Sequence, residues 1–505
     1  MDDNGDTSSS RTLWRSLEDS SRGARPGAAG AEFGFGASDW MPGMDRKEFL
    51  RLMGASLALG GLSGCIRPSR DSMVPYVAAP EDGPVEDPTF YASTMPVEGF
   101  GRGILVETHF GRPTKIEGNP DHPESQGASD ATTQASVLGL YDPDRSRVAL
   151  REGKTADWAA FEAEWERRRP GLASSRGEGF TFLTEPTTSP TLLRQVRLFL
   201  EDYPRATWYQ HTPLPVYTWK GGQEDYSIGS AEVILSLGSD FLFRHPASLR
   251  YSRQFAEARR HSVNGGMRPR LYVIEASPTP TGSLADARLP ASPGRMRAVL
   301  GVVASMMAGT ADLEALSTSE RRFVDALVAD LRDHSPRVAC IAGAEQRDDI
   351  QAWARSMNLM LGDAGGVISR RTALRSDGDP RCTGDARELA SAVESGSVAT
   401  LVILSSNPAY TSPEFRGAKL LSKVPFTIHL GSHVDETARE CTWHLPETHF
   451  LETWGDLRGY DGTGSFQQPM IEPLFGGRSA IEFLSLLRTG IYLPGYEIVR
   501  ETWSA

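Results

Sequence analysis

The chain has 505 residues, 39% of them hydrophobic and 23% charged, with a net charge of −12. Such a length and composition describe a folded protein of about two to four domains. The acidic balance excludes a nucleic-acid partner, because holding phosphates takes a concentrated basic surface.

The first 44 residues are rich in Ser, Gly, Ala and Arg and read as disordered. Then Arg46, Lys47, Phe49 and Leu50 stand before an apolar run over 52–64. That run is too short and too Gly-rich to span a bilayer, and a basic pair before it reads as an export signal. The string resembles the twin-arginine motif, with Lys47 in the second arginine position. Leu62-Ser63-Gly64-Cys65 matches a lipobox, which makes Cys65 a candidate lipidation site. The expected location is the outer, periplasmic face of the cytoplasmic membrane.

Residues 66–95 read as an extended tether. Gly103 to Phe110 and Thr114 to Gly118, joined by Gly111-Arg112-Pro113, predict a hairpin. Ala131 to Leu140 predicts a short helix. From about residue 155 helices and strands alternate. Trp158, Phe161 and Trp165 stand at helical spacing, whereas Phe180–Leu183, Glu232–Gly238, Leu271–Glu275, Val338–Ile341, Thr400–Leu404 and Phe426–Leu430 are nearly continuous apolar strands. Apolar strands separated by helices imply parallel, doubly wound sheets covered on both faces.

In such sheets ligands bind beyond the carboxyl ends of the strands. Four strand ends carry suitable residues: Gly238-Ser239-Asp240, Glu275 to Thr279, Ser405-Ser406-Asn407-Pro408, and Gly431-Ser432-His433. Glycine lets backbone approach a phosphate, and an acid or amide accepts from ribose or base. The plain alternative makes them ordinary polar turns, with Asp240 and Asn407 as helix caps. His429, His433, His444 and His449 cluster near the end, but Pro446 breaks the helical spacing a zinc motif needs, so they read as structural. Cys65, Cys340, Cys382 and Cys441 include no close pair. An iron–sulfur cluster, which takes about four thiolates, cannot be built from this segment. A disulfide among the last three is left open. No phosphate loop or nucleophile elbow recommends a nucleotide hydrolase.

Taken as a set, four motifs are specific. Arg112-Pro113-Thr114-Lys115-Ile116-Glu117-Gly118-Asn119-Pro120-Asp121-His122-Pro123, followed by a short helix and Leu140-Tyr141-Asp142-Pro143-Asp144-Arg145, resembles the first domain of molybdopterin oxidoreductases of the dimethyl-sulfoxide-reductase type. His444 to Asp456 and Tyr460-Asp461-Gly462-Thr463, with the extended signal, look like the large B subunits of alternative complex III, a bacterial quinol-oxidising membrane complex.

The resemblance implies an α/β fold: two Rossmann-like domains with doubly wound, mostly parallel sheets, and a small β-rich N-terminal domain. The expected boundaries are a signal over 1–65, a β-rich domain over 66–150, α/β domains over 151–295 and 296–490, and an extension over 491–505. It further implies a scaffold without catalytic residues, metal or cofactor of its own. Iron–sulfur clusters would sit on an adjoining ferredoxin-like domain or subunit. A multihaem cytochrome c subunit and quinol-binding membrane subunits would be partners, and membrane association would come through the complex or a lipid. The alternative is a genuine oxidoreductase holding molybdenum bis(molybdopterin guanine dinucleotide), with Gly238, Asp240, Glu275, Asn407 and Pro408 lining the cofactor.

Overall fold

The computed structural model describes residues 88–504, apart from 214–217, 220–221, 263–267, 311–315, 363–365, 377–378 and 418. The signal residues Arg46, Lys47, Phe49 and Leu50, and Cys65, lie outside the described residues.

The predicted hairpin is present as Phe100–His109 paired antiparallel with Arg112–Gly118. The tether expected over 66–95 reaches less far: Thr89–Val97 is a third strand, paired along its whole length with Phe100–His109. It lies at the edge of this sheet, where Pro96 costs no ladder bond that the sheet needs. Ile104, Val106 and Ile116 bury one face against Val137 and Leu140 of the Ala131–Leu140 helix. Asp130 caps that helix by accepting from the Thr133 backbone N–H at 2.7 Å. The Asn119–Gly127 loop folds back on the hairpin so closely that a Cβ on Gly103 would meet the His122 ring and one on Gly118 the Ala128 carbonyl, both 2.1 Å away. This gives Gly118 of the first motif, and Gly103 before it, their role, because only glycine fits such an approach.

Two larger sheets follow. The eight-stranded sheet runs in the order Gly384–Asp385, Thr207–Gln210, Phe180–Thr184, Thr400–Leu404, Phe426–Gly431, Trp443–Pro446, Ala149–Arg151, Lys154–Ala156. Its first six strands are parallel and the last two antiparallel. The four-stranded sheet, in the order Ala287–Pro290, Arg270–Glu275, Val233–Leu237, Val338–Ala342, is parallel throughout. Each sheet draws strands from both 151–295 and 296–490. The chain leaves the larger sheet after Thr207–Gln210, builds the smaller one, and returns at Gly384.

Both sheets are covered on both faces. In the smaller one Val233, Leu235 and Leu237 pack against the helices Pro293–Met307 and Thr318–Asp333, while Ile234, Leu271 and Val273 turn the other way, toward Tyr251 and Phe255 of Ser248–Ser262. In the larger one Phe182, Val402 and Ile428 meet Phe161, Phe199 and Phe483, and Leu401 and Ile403 meet Leu389 and Val393. Burial on two faces is why these strands lack polar alternation, and each such side chain contributes about 1.5–3 kcal/mol. No helix among the described residues is long and apolar enough to cross a membrane.

Candidate functional site

Strand order reverses in the larger sheet between Phe180–Thr184 and Thr400–Leu404, and in the smaller between Val233–Leu237 and Val338–Ala342. A crevice opens beyond the carboxyl ends at such points. The two are built very differently here.

In the smaller sheet the switch point is filled by the protein itself. Gly238 has φ +57°, and a Cβ there would lie 2.4 Å from the Gln346 side chain. Gly343, following the neighbouring strand, passes so near that its Cβ would lie 2.4 Å from the Gly238 carbonyl. Asp240 is buried, and its carboxylate accepts from the Thr281 backbone N–H at 3.0 Å and hydroxyl at 2.7 Å. Glu275 is paired with Arg288 and accepts from the Thr279 hydroxyl at 2.7 Å. The cavity near Glu224, His245 and Tyr460 is about 40 Å³, room for water and too little for a nucleotide.

Beside this cavity lies a buried network. Arg250 donates to Asp225 at 2.7 Å and Glu224 accepts from Arg370 at 3.0 Å. Tyr226, Tyr251 and Asn358 complete it through Glu224 and Asp225.

In the larger sheet the switch point opens into a cavity of about 450 Å³, within the range of small-molecule sites. Asn407 and Pro408 do not line it. The Asn407 side-chain Oδ1 accepts from the Thr437 hydroxyl at 2.8 Å and its side-chain Nδ2 donates to Glu436 at 2.8 Å, tying together two short helices, and Pro408 begins the first of them. The five residues expected to line a cofactor are thus divided between the two sheets, and the side chains of Asp240, Glu275 and Asn407 are engaged within the protein.

What lines the larger cavity is acidic. Glu98 comes from the turn after Thr89–Val97, Glu185 follows Phe180–Thr184, and Glu447 follows Trp443–Pro446. Ser405, at φ +53°, donates its hydroxyl to Glu447 at 2.5 Å. Burial pushes Glu447 up to about 7; the Ser405 hydrogen bond opposes this and the Glu185 charge adds to it. Burial also pushes Glu185 up to about 7, against the pull of Arg375, and raises Glu98. Arg375 stands behind the carboxylates, donating to the Glu98 carbonyl at 3.1 Å. Neither Lys nor Arg is among the lining residues.

A pterin guanine dinucleotide carries an anionic pyrophosphate, which takes backbone N–H groups and cations. Three carboxylates and no lining cation do not fit it, and neither does the filled switch point of the smaller sheet.

The histidines settle into the sheet. His429 and His444, on adjacent strands, are 3.0 Å apart through their Nδ1 atoms, and His444 reaches the Ser146 hydroxyl at 2.5 Å through Nε2. Burial lowers His429 to about 4 and His444 to about 3, which keeps both neutral at pH 7. Cys340, Cys382 and Cys441 are free thiols, so the disulfide left open by the sequence is not formed. Among the described residues no group of three His, Cys, Asp or Glu side chains could hold a metal ion.

Sequence reasoning quoted Ser405 and Glu447 but missed Glu98 and Glu185. For Glu185 a signal existed: it is the first residue beyond the predicted strand that the structure forms as Phe180–Thr184.

No family model matches the chain. It is 25% identical over 442 residues to the molybdopterin-binding-like subunit of menaquinone reductase from Nitratidesulfovibrio vulgaris, a match covering 77% of this chain. The chain spans 63% of the length of that relative. Its fold is similar to that of acetylene hydratase from Pelobacter acetylenicus, with a TM-score of 0.56 and 11% identity over 78% of this chain and 69% of that one. The chain has the fold of the molybdopterin oxidoreductases, the family that its sequence resembles.

Proposed function

We propose that this chain is a molybdopterin-oxidoreductase-like scaffold subunit of a membrane-bound, quinone-linked electron-transfer complex, and that the complex is of the quinol-oxidising alternative complex III type. The observation that carries the scaffold reading is the charge of the open switch point, where Glu98, Glu185 and Glu447 take the place of anion-binding groups. The similarity to a subunit of menaquinone reductase supports the quinone-linked part. In this reading electrons pass through an adjoining ferredoxin-like part and a multihaem cytochrome c subunit, and this fold holds them in register against quinol-binding membrane subunits. Export by the twin-arginine route would place it on the periplasmic face, held by the complex or by a lipid on Cys65.

The test is purification of the tagged chain from detergent-solubilised membranes of its native host. Iron–sulfur and haem signals and quinol oxidation are expected to travel with it through size exclusion. A chain that elutes alone, without those signals, would refute the reading.

A further inference from the structure

The buried network around Arg250 contains one carboxyl group that the protein does not fully neutralise. Glu124, in the Asn119–Gly127 loop of the first domain, is 4% exposed. Its Oε2 accepts from the Arg250 Nε at 3.4 Å and from the Asp461 backbone N–H at 3.3 Å. Its Oε1 is buried and meets no hydrogen-bond partner.

The charges packed around Glu124 come from four segments. On the helix Ser248–Ser262, Arg250 makes its shorter bond to Asp225, at 2.7 Å, and Arg253 reaches the Gln126 carbonyl. On the strand Gly222–Tyr226, Asp225 also accepts from the Tyr251 hydroxyl at 2.9 Å. On the adjoining strand Ile368–Thr372, Arg371 donates to Asp225 at 3.2 Å. Beyond the strand Gly455–Arg458, the Asp461 carboxylate accepts the backbone N–H and hydroxyl of Thr463. Arg250 and Arg371 are thus shared among the carboxyl groups of Glu124, Asp225 and Asp461. The histidines add no charge: His122, which accepts the Glu124 backbone N–H at 3.2 Å, and His245 are both kept neutral by burial.

Burial pushes the Glu124 carboxyl up to about 7; the Arg250 charge opposes this, and the Asp461 and Asp225 charges add to it. A buried carboxyl that lacks a full counter-charge is less costly neutral than ionised. Opening the loop to water removes that difference, because a solvated Glu titrates near its ordinary 4.5.

We propose that Glu124 is a proton-operated clasp between the first domain and the smaller-sheet domain. Holding a proton, its carboxyl fits beside Asp225 and Asp461 and the Asn119–Gly127 loop stays closed on Ser248–Ser262. Giving the proton up places a third negative charge beside those two, and the loop opens.

The experiment is hydrogen–deuterium exchange of the full-length chain in its native complex, read by mass spectrometry and corrected for the intrinsic effect of pH. Protection of the loop should be complete below 4.5 and lost as pH rises through about 7. Between about pH 5 and about pH 8 the fall should be on the order of tenfold or more. Glu185 and Glu447 titrate in the same range, so the loop is read relative to the core strand Thr400–Leu404, which follows the stability of the whole chain. Glu124→Gln, neutral at both pH values, should keep the loop closed at both. Thermal melting checks that the variant folds, and the wild-type comparison of loop with strand decides without it. A wild-type loop whose protection does not change relative to the strand overturns the proposal, as does a folded variant whose loop still opens at high pH.

Discussion

At the scale of residues, the two switch points show opposite uses of a carboxylate. Asp240 is satisfied: it accepts both the backbone N–H and the hydroxyl of Thr281 while 7% exposed. Replacing it with Ala leaves a buried donor without its partner, and the expected loss is about 1–2 kcal/mol in urea unfolding, with metal content unchanged. Loss of metal in D240A would instead make Asp240 a cofactor residue. Glu447 is under-satisfied, and its folded-state carboxyl titrates near 7 against an ordinary 4.5. Between those values the native state keeps a proton that the unfolded chain has released. Stability therefore falls as pH rises from 4.5 to about 7 and levels off above. Glu185 acts in the same window with the same sign, so the comparison must isolate Glu447. Glu447→Gln is expected to be more stable than wild type by about 1–3 kcal/mol at about pH 8 and nearly equal to it at about pH 4. A pH-independent difference between the two proteins would show that Glu447 titrates normally.

At the scale of elements, the sequence motifs that carry the resemblance turn out to be contacts. Arg145, ending the Leu140 to Arg145 string, forms a two-pronged pair with Glu452 at 3.0 and 2.6 Å, deep in the protein. Glu452 also accepts the backbone N–H of His449 and of Leu474. The first domain is in this way locked to the motif that runs from His444 to Asp456. Arg145→Leu strands a buried carboxylate and is expected to cost about 3–5 kcal/mol. A urea midpoint unchanged in R145L would show that this pair holds nothing together. The elements themselves were legible wherever burial is two-sided: Thr400–Leu404 begins and ends where its apolar run does. The edge strand Thr89–Val97 was not, because only Ser93, Thr94 and Met95 in it are buried and Pro96 reads as a breaker. The carboxylates of the cavity were half legible. Glu98 and Glu185 are exposed residues just beyond strand ends, and only the meeting of segments distant in sequence brings them to the cavity that Glu447 lines. The order of strands, which decides where the switch points lie, has no local signal at all.

At the scale of the whole molecule, the carboxyl ends of the two large sheets are built in opposite ways. One switch point is closed by Gly238, Gly343 and Gln346. The other is open but acidic. The core and the strand-end loops are separate sets of residues, so the same packing can carry different ligand chemistry. The central claim is that this chain carries no molybdenum cofactor, and the most direct measurement is the molybdenum-to-protein ratio of the natively exported protein by elemental mass spectrometry. Cells whose other molybdenum enzymes are loaded should yield a ratio near zero for this chain. A ratio near one would contradict the account and turn the acidic cavity, or a rearranged form of it, into a cofactor site.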